Sequence, residues 1–184
     1  GQGSMKDRVA LIAGAGDEVG EAIALQFAAH GARLALCGGA RDRLEALAAK
    51  VVAQGGKAMT SELNPGAGAI ASCVGRVLAH YGKIDILVNN LPLPAGNALC
   101  DPAAGDFDAS VSAVLGARFH FMREAVPAMK KNGYGRIVNL SSLAYLGQPK
   151  KADAAAAQAG IFGLTRSVAL EVARDSITVN HVVK

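Results

Sequence analysis

The stretch "RVALIAGAGDEVGEAIALQFAAHG", residues 8–31, decides the fold. Its first third is a β-branched and apolar run ending in glycine, the pattern of a buried strand. Its last half carries an apolar stripe at helical spacing and is closed by Gly31, a good C-cap. Between them lies only a short glycine-rich turn. A turn of this kind, set where a first strand meets a first helix, lets backbone come close to a pyrophosphate while helix N–H groups face it.

The same unit recurs along the chain. "ARLALCG" is followed by "ARDRLEALAAKVVAQGG", "KAMTSEL" by "GAIASCVGRVLAHYG", and "KIDILVNN" by a helical pattern over about residues 107–131. "GRIVNLSS" then precedes a long helix that begins in the alanine run "ADAAAAQAG", and "SITVNHVV" comes last. Six strands alternating with five helices predict an α/β fold: a Rossmann-type, doubly wound parallel sheet with helices on both faces, a three-layer α/β/α arrangement. Ligands then belong beyond the carboxyl ends of the strands. Residues 6–184 read as one domain, and residues 1–4, ahead of Met5, as an expression-tag remnant.

Composition narrows the function classes. The chain has 184 residues, 51% hydrophobic and 18% charged, which suits one sizeable core. Its formal net charge is +4, but Lys130-Lys131 and Lys150-Lys151 are isolated pairs on solvated surface, so no nucleic-acid partner is expected. Cys37, Cys73 and Cys100 are odd in number and lack C-x-x-C spacing, which argues against a disulfide framework or a zinc site and fits a reducing cytoplasm. No apolar run reaches the roughly 18 residues of a membrane span. His30, His80, His120 and His181 are scattered without ligand spacing, so no metal is expected.

Four motifs in order carry a family resemblance: "AGAGDEVG" (residues 13–20), "DILVNN" (85–90), "GRIVNLSS" (135–142) and "AGIFGLTRSVALEVA" with "ITVN" (159–180). The chain resembles the short-chain dehydrogenase/reductases, whose turn reads T-G-x-x-x-G-x-G and whose fourth strand ends N-N-A-G. Their fifth strand ends S-S before a helix bearing Y-x-x-x-K. The resemblance implies NAD or NADP as cofactor, held at Gly14, Gly16, Val19, Gly20, Glu62, Leu63, Asn89 and Asn90. It also implies a small carbonyl or alcohol substrate and a homo-oligomer or partner subunit.

The departures from that pattern matter as much. Glu18 stands on the second glycine of the turn, beside Asp17, although Gly16 offers an alternative spacing. A carboxylate about 5 Å from a phosphate repels it by roughly 3 kcal/mol at an effective dielectric near 20. Gly38-Gly39 replace the acidic residue that holds a ribose 2'-OH in NAD-preferring members, leaving Arg41 or Arg33 as candidates for a 2'-phosphate. Leu91-Pro92 replace the small Ala-Gly pair.

In the family, a Tyr hydroxyl moves the proton, a Lys lowers its pKa, a Ser binds the carbonyl oxygen and an Asn supports the Lys. Aligned through "AGIFGLT", the Tyr position is Ala154, the Lys position Gln158 and the Asn position Val114. Ser142 is the one member of the tetrad retained. Alanine cannot carry a proton and glutamine has no charge with which to shift a neighbour's pKa. Tyr145, with Lys150 and Lys151 nearby in sequence, is the candidate replacement donor. The family's usual Pro-Gly turn and substrate-covering segment after "VN" are not matched in this sequence, which predicts an open site and an uncovered edge strand around residues 177–183. The expectation is a degenerate family member with weak NAD(P) binding or a partner-subunit role; the alternative is a working NAD(P)-dependent oxidoreductase with an atypical proton donor.

Overall fold

The computed structural model describes residues 3–64, 66, 68–101 and 107–184; of the expected tag remnant, Gly1 and Gln2 lie outside them. Strands β1 (Val9–Ala13), β2 (Arg33–Cys37), β3 (Lys57–Ser61), β4 (Ile86–Asn89), β5 (Gly135–Ser141) and β6 (Ile177–Val183) form one sheet in the order β3-β2-β1-β4-β5-β6. All five pairings are parallel. The order reverses between β1 and β4, and this switch point is where the glycine turn lies.

Helices α1 (Glu18–Ala29), α2 (Arg41–Ala53), α3 (Ala69–Tyr81), α4 (Phe107–Val111), α5 (Ala117–Asn132) and α6 (Ala152–Val172) fill the crossovers. The expected helix over about residues 107–131 is α4 and α5 joined by a π-helical turn, Ser112–Gly116. That widened turn falls on Val114, the family's Asn position; π-turns of this kind interrupt helices at functional sites in many proteins.

Alternation along the strands builds a core on each face of the sheet. Leu11 joins Phe121, Met129 and Ile137 on one side, while its neighbour Ile12 joins Leu34, Leu44 and Val51 on the other. Both are fully buried, so truncating either to alanine costs about 2–5 kcal/mol. β3 and β6 are the edges of the sheet. Among the described residues, no helix is long and apolar enough to cross a membrane.

Candidate active site

Gly14 leaves β1 with φ +91°, a left-handed conformation that favours glycine, and a Cβ there would strike the Asn90 carbonyl. A Cβ on Gly16 would come within 2.9 Å of Gly39 Cα, so the turn and the end of β2 are in backbone contact. The Cys37 carbonyl accepts from Gly14 and Ala15 N–H (2.8 and 3.1 Å), and the Gly38 carbonyl from Gly16 N–H at 3.2 Å. Asp17 caps α1 by accepting from Gly20 N–H at 2.7 Å. Four amides of the turn are therefore engaged within the protein.

Asp17 is also tied across the crevice. The Asn90 side-chain amide donates to Asp17 Oδ1 and to the Gly14 carbonyl, both at 2.9 Å. Lys184 Nζ donates to Asn90 Oδ1 at 2.6 Å and lies 3.8 Å from Asp17 Oδ2. Anion at the helix start and cation at the end of β6 thus bridge the cleft on which a dinucleotide of this fold would lie. A cavity of about 270 Å³ remains, lined among others by Gly14, Gly16, Gly39, Arg43, Asn90 and Pro92. The glycines fit the adenosine and pyrophosphate end of a dinucleotide, and Asp17 lines the same cavity.

The other expected cofactor contacts divide. Val19 is half-buried in the first turn of α1 and Leu63 packs against the core. Glu62 faces solvent in an ion pair with Arg41 at 3.1 Å. Asn89 is fully buried and donates to Asn139 Oδ1 at 2.9 Å, and Asn139 Nδ2 in turn donates to Thr165 Oγ1 at 3.1 Å. Arg33 requires a correction. It opens β2 at the amino end of the sheet, where its guanidinium donates to the Asp7 carbonyl, so it is at the wrong end to meet a 2'-phosphate.

Ser142 and Gln158 come together. Gln158 Oε1 accepts from the Ser142 hydroxyl at 2.7 Å and from the Ser142 N–H at 2.9 Å. Ala154, one turn earlier on α6, is buried, and a Cβ built on Gly96 would sit 2.8 Å from its own Cβ. The chain after β4 therefore packs where a Tyr side chain would project. Asp153 holds it there, accepting from Asn97 N–H (2.8 Å), Asn97 Nδ2 (3.1 Å) and Ser110 Oγ (3.3 Å). These bonds, the Asn97 backbone N–H first, hold the Asp153 carboxyl below the usual carboxylate range.

Two charged or titratable groups were not singled out as site residues from sequence. Arg118 is fully buried in α5 and donates to the carbonyls of Val114 (3.0 Å), Leu91 (3.2 Å) and Leu140 (3.0 Å), while its Nε finds no partner. Burial lowers its pKa to about 10. A single arginine inside the apolar run "SAVLGARFHF" was the signal available. His181, read as an ordinary histidine, shares a 2.5 Å hydrogen bond through Nε2 with the Ser141 hydroxyl. Its pKa is lowered, by burial first and by the charge of Arg118 second. Tyr145 lies edge-on to His181 with ring centroids 5.7 Å apart, whereas Lys150 is exposed. Among the described residues, no group of three or more His, Cys, Asp or Glu is placed to hold a metal ion.

This is a doubly wound dinucleotide-type fold with its cleft at the switch point, and the comparisons with known proteins give it a family. The chain belongs to the short-chain dehydrogenases: the family model described as "short chain dehydrogenase" matches residues 8–183. It is 46% identical over 177 residues to the "(2S)-[(R)-hydroxy(phenyl)methyl]succinyl-CoA dehydrogenase subunit BbsC" of Thauera aromatica, covering 96% of this chain and 71% of that protein. It is 32% identical over 179 residues to subunit BbsD of the same dehydrogenase and organism, covering 97% of this chain and 72% of that one. Among solved structures, NAD+-bound xylitol dehydrogenase superposes with a TM-score of 0.92 at 31% identity, covering 98% of this chain and 70% of that one. These relatives are oxidoreductases, and they favour dehydrogenase function over the loss of it expected from the sequence.

Proposed function

We propose that the chain is a subunit of an NAD(P)-dependent dehydrogenase acting on a hydroxyacyl or oxoacyl thioester, and that proton transfer is carried by a partner subunit with a complete Tyr and Lys pair. The observation that carries this reading is the Ser142–Gln158 hydrogen bond beside a buried Ala154. The serine hydroxyl is engaged with an uncharged amide, and the position of the proton donor is a methyl group. Similarity to two subunits of one relative, 46% and 32% identical, supports a two-subunit arrangement, and the thioester class is that of the relatives' printed substrate. Phe119, Phe162 and Leu170, exposed on α5 and α6, offer an apolar face for such a partner.

Gly14, Gly16, Gly20 and Asn90 would hold the dinucleotide, which supplies the hydride when bound. Binding is weak in this reading because Asp17 and Glu18 stand by the phosphates. The test is steady-state oxidation of NADH or NADPH with a 3-oxoacyl thioester, using the pure chain alone and the chain co-expressed with a complete family member. Background rate alone, and turnover with a mixed assembly in native mass spectrometry, are expected. Steady turnover by the chain alone, lost in Ser142→Ala, overturns the reading.

A second reading, that the chain itself transfers hydride with an atypical donor, has the relatives' printed activities in its favour. Its donor would lie in the cluster of Tyr145, His181 and Ser141, which adjoins Ser142 along the chain. Loss of the chain's own turnover in both Tyr145→Phe and His181→Gln would select it.

A further inference from the structure

Cys37 closes β2 and Cys73 lies within α3, 36 residues apart in sequence. Both side chains are fully buried, and their sulfurs are 2.9 Å apart in a thiol-thiol hydrogen bond. Neither thiol is among the groups of the candidate active site, although the Cys37 carbonyl anchors its glycine turn. Closing a disulfide from this separation needs a sulfur approach of only about 1 Å.

The surroundings make the two sulfurs unequal. The Cys73 thiol is held below its ordinary range by the hydrogen bond from Cys37, against the opposing effect of burial, with Ser61 and the charge of Arg76 adding to it; that of Cys37 is pushed up by the same hydrogen bond and by burial. Arg76 is fixed in place by donating to Ser61 Oγ at 2.9 Å and to the Glu62 carbonyl at 2.7 Å. Ser61 and Arg76 also line a cavity of about 330 Å³ shared with Arg41, Thr60 and Glu62, which brings a small solute to the residues touching Cys73. Two buried thiols in contact, one of them hydrogen-bonded to Ser61 in the wall of a polar cavity, form the arrangement of an oxidation-sensitive pair.

We propose that Cys37 and Cys73 are a modification site: a dithiol that a peroxide converts reversibly to a disulfide linking β2 to α3. The Cys73 thiolate attacks one oxygen of hydrogen peroxide, forming a sulfenic acid and releasing hydroxide. The Cys37 sulfur then attacks the sulfenic sulfur, forming the S–S bond; its proton and the departing oxygen leave as water. Two thiols lose two electrons and the peroxide gains two. Because the Cys37 carbonyl anchors Gly14 and Ala15 N–H, the link also ties the glycine turn to α3. The inference does not depend on which subunit transfers hydride.

The experiment uses Cys100→Ser, which removes the exposed third thiol. It is titrated with hydrogen peroxide and followed by intact mass, thiol counting after denaturation and non-reducing peptide mapping. The expected result is loss of both thiols together, a mass lower by two hydrogens and one Cys37–Cys73 cross-linked peptide. Dithiothreitol reverses all three, and the oxidised form melts roughly 5–10 °C higher. In Cys37→Ala the Cys73 sulfenic acid persists and is trapped by dimedone. Two thiols that stay reduced at peroxide doses oxidising Cys100 of the unmodified chain overturn the proposal. So does oxidation of Cys73 to sulfinic acid with no cross-link.

Discussion

Gln158 Oε1 accepts from both the hydroxyl and the N–H of Ser142, at 2.7 and 2.9 Å, so the side chain on the family's Lys position is a structural clamp on the one serine retained from the tetrad. The bond joins the end of β5 to α6. Gln158→Leu removes the acceptor and leaves a backbone N–H and a hydroxyl without it in a partly buried setting. A loss of about 1–3 kcal/mol is expected. Urea unfolding checks it, with a fall in midpoint at unchanged slope as the signature.

Restoring the family's pair is a sharper experiment than removing what is there. Ala154→Tyr with Gln158→Lys places a phenol against the Gly96 backbone, which Asp153 holds through Asn97. Overpacking costs about 1–3 kcal/mol. The double variant is expected to unfold at lower urea and to leave thioester reduction at background. Recovered turnover would mean that the chain after β4 moves aside readily.

The alternation of strands and helices was legible because each element buries its own local pattern: five consecutive apolar residues in β1, an apolar stripe in α3, glycine at the ends. The flanking motifs also set the register from which Ser142, Ala154 and Gln158 are matched to the family's tetrad. The contacts that reshape the cleft were not legible. Lys184 reaches Asn90 across 94 residues of sequence, Asp153 reaches Asn97 across 56, and Arg118 meets the Leu91 carbonyl across 27. Such pairs are made by the parallel sheet bringing distant strand ends together, and no local periodicity encodes them. Arg33 was misplaced for the related reason that a residue's end of the strand, and not its closeness to a motif in sequence, decides what it faces.

Asp17→Ser isolates the charge at the glycine turn. Serine still caps α1, so the helix keeps its first turn, while the carboxylate between Gly20 N–H and Lys184 is gone. Lys184 Nζ loses its anionic partner but keeps its hydrogen bond to Asn90 Oδ1, which leaves its charge for a pyrophosphate. Affinity for NADH or NADPH is expected to rise on the order of tenfold by calorimetry, less than the bare repulsion implies because Lys184 already offsets part of it. Unchanged affinity would show that Asp17 is a cap and nothing more.

Asp153 gives the fold an acid limit. Its carboxyl is held below the ordinary range by Asn97, so the folded protein binds that proton less readily than the unfolded chain. The contribution is full above the unfolded carboxylate pKa near 4 and is lost as pH falls through the lower folded value. Asp153→Asn keeps the size and loses the charge. Its stability is expected to depend less on pH below about pH 4 than that of the unmodified chain, as read from thermal melts across that range.

Arg118 acts on His181 through its field. Burial and this cation both favour the neutral imidazole, so the folded His181 titrates below the ordinary value near 6.5. As pH falls through 6.5 the unfolded chain takes up the proton first, and stability drops until the folded value is passed. Arg118→Met removes the second cause and leaves the first. The His181 pKa, followed by the ring resonances in NMR, is expected to move up toward 6.5 without reaching it. The same variant strips the donors from the carbonyls of Val114, Leu91 and Leu140, with a loss of about 2–4 kcal/mol. A His181 titration that does not move while the stability falls would confine Arg118 to holding those three carbonyls.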